Sequence, residues 1–187
     1  MNCPVCADHP ALVTGALEPS LNTHRCPGCG GHWIRLADYW RWRAESGPDL
    51  PETPPRPEDA TAVHDSRGIK VCPDCRHLMT AYRIGHGIPF TVDRCGHCNG
   101  TWLDRDEWTA LRARNLHDDL HAFFSDEWQR HLRLDTQRFL TEQQFRRQFG
   151  DEDYARIRDL KSWIDAHPRR SELYAYLQVH EQRRQGV

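Results

Sequence analysis

Eight cysteines fall in two sets of identical spacing, and this pattern limits the fold more than any other feature of the chain. Cys3, Cys6, Cys26 and Cys29 read C-x2-C, nineteen residues, C-x2-C. Cys72, Cys75, Cys95 and Cys98 repeat that spacing 69 positions later. The same offset relates Pro4 to Pro73, Arg25 to Arg94, Gly31 to Gly100 and Trp33 to Trp102. Self-similarity at a fixed period marks a duplicated supersecondary unit.

A unit of about 44 residues cannot bury enough apolar surface to fold alone, and below ~70–80 residues a covalent or metal staple is the usual remedy. Two residues between paired cysteines let one tight turn aim both sulfurs at a single ion. Proline after a cysteine (Pro4, Pro27, Pro73) and glycine near the last pair (Gly28, Gly30, Gly96) suit such turns. Two turns facing each other across a hairpin form a tetrahedral S4 site, which suits Zn(II). The expectation is therefore two zinc ions, one on Cys3, Cys6, Cys26 and Cys29 and one on Cys72, Cys75, Cys95 and Cys98. Iron in the same geometry and unligated or disulfide-bonded cysteines are the competing readings. Four thiolates leave no open position for a metal-bound water, which argues against catalytic zinc.

The redox setting supports thiols over disulfides. Met1-Asn2-Cys3-Pro4-Val5-Cys6 lacks the basic segment and apolar run of a signal peptide, so a reducing cytoplasm is expected. No stretch approaches the ~18 apolar residues of a membrane span, and no membrane contact is expected.

Each unit contains a readable hairpin. In the second, Leu78 to Ile84 runs out, Gly85-His86-Gly87 turns, and Ile88 to Arg94 returns. In the first, Leu12 to Leu17 and Leu21 to Arg25 flank Glu18-Pro19-Ser20. Residues 45–66 hold Pro48, Pro51, Pro54, Pro55 and Pro57, and one arginine against six acids, which reads as a semi-extended acidic linker. Ribbons so joined would tumble semi-independently unless they dock on each other or on the tail. Beyond Asp104, Trp108, Leu111, Leu116, Leu120, Phe123, Phe124, Trp128 and Leu132 recur every three or four residues, as on one apolar helix face. Thr141 with Gln144 suggests a capping box opening a short helix that Phe145 and Phe149 line and Gly150 stops. Asp151 and Ser171 are candidate caps for two further helices, the first ending at Pro168.

The expected fold is small, metal-stabilised α+β: two tandem zinc β-ribbons joined by a Pro-rich linker, then an α-helical C-terminal bundle. Its segments are a first ribbon with a short helix (1–44), the linker (45–66), a second ribbon with its following helix (67–114) and a helical domain (115–187) packed on the second ribbon.

Cys95-Gly96-His97-Cys98-Asn99-Gly100-Thr101-Trp102-Leu103-Asp104-Arg105-Asp106-Glu107-Trp108, together with Cys72-Pro73-Asp74-Cys75, resembles the bacterial transcription-factor zinc-finger family of TFIIB type. Its pattern is CPxC, a hairpin, then CxxCxGxWLDxxEL. The first unit is similar through Cys3-Pro4-Val5-Cys6 and Cys26-Pro27-Gly28-Cys29-Gly30-Gly31-His32-Trp33-Ile34, but Arg35 replaces the family's Asp and Asp38 its Glu. The resemblance covers both ribbons, roughly half the chain, and implies transcription-associated nucleic-acid binding. Fold alone does not fix function. Asp104 is expected to cap the following helix, with Glu107 closing the box. Trp33 and Trp102 are expected in the core, covering the metal sites.

Nothing else in the chain points to catalysis. His117-Asp118-Asp119-Leu120-His121 has the i, i+4 histidines of a metallopeptidase but lacks its glutamate and third ligand, so solvent-facing histidines are expected. There is no serine–histidine set, phosphate loop or supported carboxylate pair, and no enzyme is expected. Thiol redox chemistry through the C-x2-C pairs is a remote alternative. The net charge of −2 gives no global attraction to nucleic acid. Residues 67–114 carry eight bases against five acids, and residues 1–44 four against three. These features fit a macromolecular recognition module whose partner, nucleic acid or protein, is open. The alternative is an adaptor or self-assembling scaffold, with homo-oligomers formed through the aromatic tail (Phe123, Phe124, Trp128, Phe139, Phe145, Phe149).

Overall fold

The computed structural model describes residues 1–47, 50 and 63–182. Linker prolines 48, 51, 54, 55 and 57 lie outside the described residues. The chain divides into two compact units, Met1–Leu132 and Arg133–Val187.

Each cysteine repeat folds into three strands and a helix. The first gives β1 (Val13–Glu18), β2 (Leu21–Arg25), β3 (His32–Ile34) and α1 (Leu36–Ser46). The second gives β4 (Met79–Gly85), β5 (Ile88–Cys95), β6 (Thr101–Leu103) and α2 (Glu107–Arg112). The β4–β5 hairpin closes on His86-Gly87, with Gly85 paired to Ile88. His86 and Gly87 take φ of 51° and 72°, the doubly positive pair that matches strand twist in a two-residue turn.

The six strands form one sheet, ordered β1-β2-β3-β6-β5-β4. The repeats thus meet edge to edge, and the docked alternative replaces semi-independent tumbling. β3 and β6 pair antiparallel, with Trp33 opposite Trp102, His32 opposite Leu103 and Ile34 opposite Thr101. Because the paired tryptophans occupy the same repeat position, the sheet has an approximate twofold axis between them. The pairing also covers two exposed strand edges, which would otherwise remain open to other chains.

The main apolar core packs between the sheet and the segments that follow each ribbon. It contains Leu21, Ile34, Tyr39, Trp42, Ile84, Phe90, Val92, Leu103, Trp108 and Leu111, continuing into Leu120 and Phe123. The residues from Trp108 to Leu132 are not one helix face, as their spacing suggested. α2 stops at Arg112, a 3₁₀ turn covers Ala122–Phe124, and α3 begins at Asp126. Asn115, at φ 54°, ends α2: the Leu116 N–H donates to Leu111 O and the Asn115 N–H to Arg112 O, both at 3.0 Å. This is the two-bond helix stop that a left-handed residue permits. His117 and His121 therefore lie outside any helix. His117 is only 6% exposed and stands edge-on to Trp108, so it does not face solvent as expected.

α3 (Asp126–Phe149) is continuous through Thr141. The Thr141 hydroxyl donates back to Gln137 O at 2.8 Å, a helix-interior bond rather than a cap. At its start, α3 lies on the second hairpin: Trp128 Nε1 donates to Ile84 O at 3.0 Å and Gln129 Nε2 to Arg83 O at 2.7 Å. Gly150, at φ 80°, ends α3 as expected and precedes α4 (Asp151–Asp165). α4 stops before Pro168, and α5 (Arg170–Gln182) starts ahead of Ser171, leaving that residue inside the helix.

Candidate metal centres

The short turn after each β-hairpin places the second cysteine pair of each site. The Cys26 N–H donates to Gly31 O at 2.8 Å and the Gly30 N–H to Cys26 O at 3.0 Å. In the second ribbon, the Cys95 N–H donates to Gly100 O at 3.0 Å and the Asn99 N–H to Cys95 O at 2.9 Å. Gly30 (φ 80°) and Asn99 (φ 59°) occupy the same repeat position, and both are left-handed. The turn therefore needs positive φ at one position, which glycine or asparagine supplies.

The eight cysteines converge as two quartets, Cys3/Cys6/Cys26/Cys29 and Cys72/Cys75/Cys95/Cys98, each with its sulfurs within 4.8 Å of one another. Cys3 and Cys29 Sγ stand 3.7 Å apart, as do Cys6 and Cys26. Cys72–Cys98 and Cys75–Cys95 are at 3.5 and 3.4 Å. A tetrahedron with zinc–sulfur bonds of ~2.3 Å has edges of about 3.8 Å, so the quartets fit the ion closely. All these sulfurs are thiols rather than disulfides. Backbone N–H groups aim at the inner sulfurs: Val5 and Cys6 at Cys3 Sγ (both 3.4 Å), Cys29 at Cys26 Sγ (3.5 Å) and Cys75 at Cys72 Sγ (3.4 Å). Such donors disperse thiolate charge.

The electrostatics also call for a cation. Burial pushes the Cys3 and Cys72 thiols far above the ordinary range and Cys29 up to about 11. Burial is the largest influence on Cys26 and Cys95 and opposes their ionisation, but the N–H donors of Cys29 and Gly28, or of Cys98 and His97, act with the neighbouring thiols to outweigh it and bring both to about 7. Four thiolates share so small a space only around a positive ion, which deprotonates coordinating thiols outright. The quartets thus fit two zinc ions.

The two centres share one core. Cys3, Cys26, Cys72 and Cys95 pack in a single cluster with Trp33, Trp102 and Met79. Each tryptophan lies over a glycine of the other ribbon. A Cβ on Gly100 would meet Trp33 Cζ2 at 2.3 Å, and one on Gly31 would meet Trp102 Cζ2 at 2.3 Å. Trp33 Nε1 donates to Asp74 Oδ2 at 3.2 Å, reaching the Cys72–Cys75 turn of the other ribbon. Arg35 grips the same carboxylate with two bonds, Nε to Oδ2 at 2.9 Å and an Nη2 bond to Oδ1 at 3.0 Å. This contact explains why the first ribbon departs from the family pattern at Arg35: an aspartate there would face Asp74. It also holds the Asp74 carboxyl below its usual range. From the other side, Arg105 Nε donates to Cys29 O at 2.9 Å.

The helix cap after the second ribbon forms only in part. Glu107 Oε2 accepts the Asp104 N–H at 2.8 Å, as a capping box requires. The Asp104 carboxylate turns away from α2, accepting Trp102 Nε1–H at 2.8 Å through Oδ1 and the Ser66 N–H at 2.6 Å through Oδ2. Asp106, in left-handed conformation, stands at the N-cap instead. Sequence reasoning missed the Arg35–Asp74 clamp and the Ser66–Asp104 contact. The first was signalled by the break in the repeat at Arg35, whereas the second had no signal.

Among the described residues, no helix is long and apolar enough to cross a membrane. No curated protein and no solved structure matches the chain. Residues 2–45 and 71–114 each match the transcription factor zinc-finger family, the TFIIB-type zinc ribbon. With the cysteine quartets in place, these two segments belong to that family as tandem zinc ribbons.

Proposed function

We propose that the protein is a non-enzymatic recognition module that acts in the cytoplasm and binds a protein partner through its helical tail. The zinc ribbons form the rigid part, since closed S4 sites hold structure rather than activate water. The apolar exposure of the tail carries the proposal. Within the described part of residues 133–187, Ile164 is the one fully buried large apolar side chain. Phe139 (58% exposed), Leu140 (60%) and Trp163 (56%) remain open. Large apolar side chains left open in this number favour an interaction surface. Leu134, Phe145, Phe149, Tyr154 and Ile157 line a groove of 530 Å³ between α3 and α4. Arg138, Arg158 and Lys161 flank it against the single acid Glu142. Arg158 and Lys161 hold exposed ion pairs with Asp159 and Asp165, which cost little to exchange. An amphipathic helix with an acidic face suits this surface by the helix-in-groove mode.

Fluorescence anisotropy of zinc-loaded full-length protein tests the proposal, with a Leu/Glu amphipathic helical peptide and a DNA duplex as probes. The peptide should bind, and Phe145→Asp should weaken it at least tenfold while zinc content stays at two. Duplex binding with a steep salt slope, untouched by Phe145→Asp, would give the module to nucleic acid instead. Concentration-dependent sedimentation abolished by the same substitution would make the occupant a second copy of the chain.

A further inference from the structure

We propose a third metal site, a hard divalent cation held by Asp65, Asp104 and Glu107 at the point where the linker enters the second ribbon. One oxygen from each carboxylate lies within 4.8 Å of the other two. Asp104 is 5% exposed and Glu107 1%. Glu107 Oε1 is fully buried and has no hydrogen-bond partner among the described residues, while Oε2 accepts the Asp104 N–H. A buried carboxylate oxygen without a partner carries an unrelieved desolvation cost, which a positive charge held among the three carboxylates would relieve.

Local charge supports this reading. Among the described residues, Lys70 is the cation in ion-pair reach, and Asp93, Asp104, Glu107 and Asp65 are the anions. The Lys70 ammonium donates to Asp93 Oδ2 and Ser66 O, both at 2.6 Å, and stands 4.0 Å from Asp104 Oδ2. With two of its three donors committed, it leaves the triad short of positive charge.

The donor set selects the ion. Three carboxylates and no sulfur or nitrogen suit a hard cation rather than a third zinc. Ca2+, Mg2+ and Mn2+ all take such oxygen donors. The first ribbon supplies an internal control. At the repeat positions of Asp104 and Glu107 it carries Arg35 and Asp38, so it cannot form such a site, and the stoichiometry is one per chain. Occupancy would tie residues 65 and 66, and with them the end of the linker, to α2.

Mn2+ titration of zinc-loaded full-length protein, followed by electron paramagnetic resonance with Ca2+ and Mg2+ as competitors, tests the site. One saturable Mn2+ per chain is expected, displaced by Ca2+. Glu107→Gln should weaken it at least tenfold. So should Asp65→Asn, at a half-buried position where folding is less at risk, with two zinc ions retained in both variants. No saturable Mn2+ binding at millimolar concentration would overturn the proposal and leave Glu107 neutralised by a proton. Binding unchanged in Asp65→Asn would overturn it too. Neither result touches the peptide groove in the tail.

Discussion

Gly100 has no side chain because Trp33 of the other ribbon occupies its Cβ position, and Gly31 is restricted in the same way by Trp102. Both tryptophans are fully buried, so neither can yield without opening the interface between the ribbons. Gly100→Ala should therefore cost about 1–3 kcal/mol, the usual range for overpacking. Gly96 stands in the same turn, where an added methyl would meet nothing within 4 Å, and Gly96→Ala should leave stability within ~0.5 kcal/mol. Thermal unfolding of the pair separates steric conflict from a general intolerance of alanine in the turn; equal losses would dismiss the tryptophan contact. His117 gives a second test at this scale. It lies between Trp42 and Trp108, and burial lowers its pKa below the usual 6.5. The folded state thus prefers the neutral ring and binds fewer protons than the unfolded chain in the window below about 6.5. Its contribution is complete above that pH and lost as pH falls through the window. An NMR titration should place the His117 midpoint below 6.5, and a midpoint at or above 6.5 would refute the packing account.

At the scale of elements, the end of α2 depends on one residue. Asn115 adopts the left-handed conformation that lets Leu116 and Asn115 close the two terminal bonds. Asn115→Ala should lose about 1 kcal/mol, since a Cβ without a compensating polar group disfavours that conformation, while Asn115→Gly should be close to neutral. Chemical denaturation of both variants checks the order, and Ala above Gly would be the wrong order for a left-handed stop. The same residue shows where sequence reading succeeds and fails. The hairpins were legible, because Gly85-His86-Gly87 and Pro19-Ser20 separate β-rich runs. The quartets were legible because thiol spacing has one economical use. The break between α2 and α3 was not. Leu116 and Leu120 from irregular backbone, Phe123 from a 3₁₀ turn and Trp128 from α3 pack into or against the core just as they would from one helix, so apolar spacing cannot detect the interruption. Thr141 misled for a related reason: its hydroxyl can bond forward as a cap or back to Gln137, and only tertiary context chooses. The β3–β6 pairing left a trace that composition obscured. Strands of three residues give no periodicity, yet Gly31 and Gly100 were placed, like Trp33 and Trp102, at the repeat offset.

For the whole molecule, joining the ribbons makes the two zinc ions thermodynamically dependent on each other. Had the acidic linker been the sole connection, each site would empty on its own. Instead the inner cysteines of both quartets pack in one cluster with Trp33 and Trp102, and β3 pairs with β6. Loss of zinc from the second ribbon frees Cys72 and Cys95 and loosens the glycine turn that Trp33 covers. It also loosens the Cys72–Cys75 turn whose Asp74 anchors Arg35 and Trp33. The first ribbon then loses packing and a bidentate ion pair while its own ligands are intact. Structural zinc contributes roughly 10–16 kcal/mol of apparent folding energy in small fingers, far more than a ribbon of this size can replace. A Cys98→Ser variant, altered at a half-buried ligand far from Cys3–Cys29 in sequence, should therefore release the first ribbon's zinc to a chelator at least tenfold faster than the unaltered protein. In the unaltered protein both ions should leave in one kinetic phase. Two well-separated phases, with first-ribbon release unchanged by Cys98→Ser, would mean that the shared sheet carries no energy between the sites.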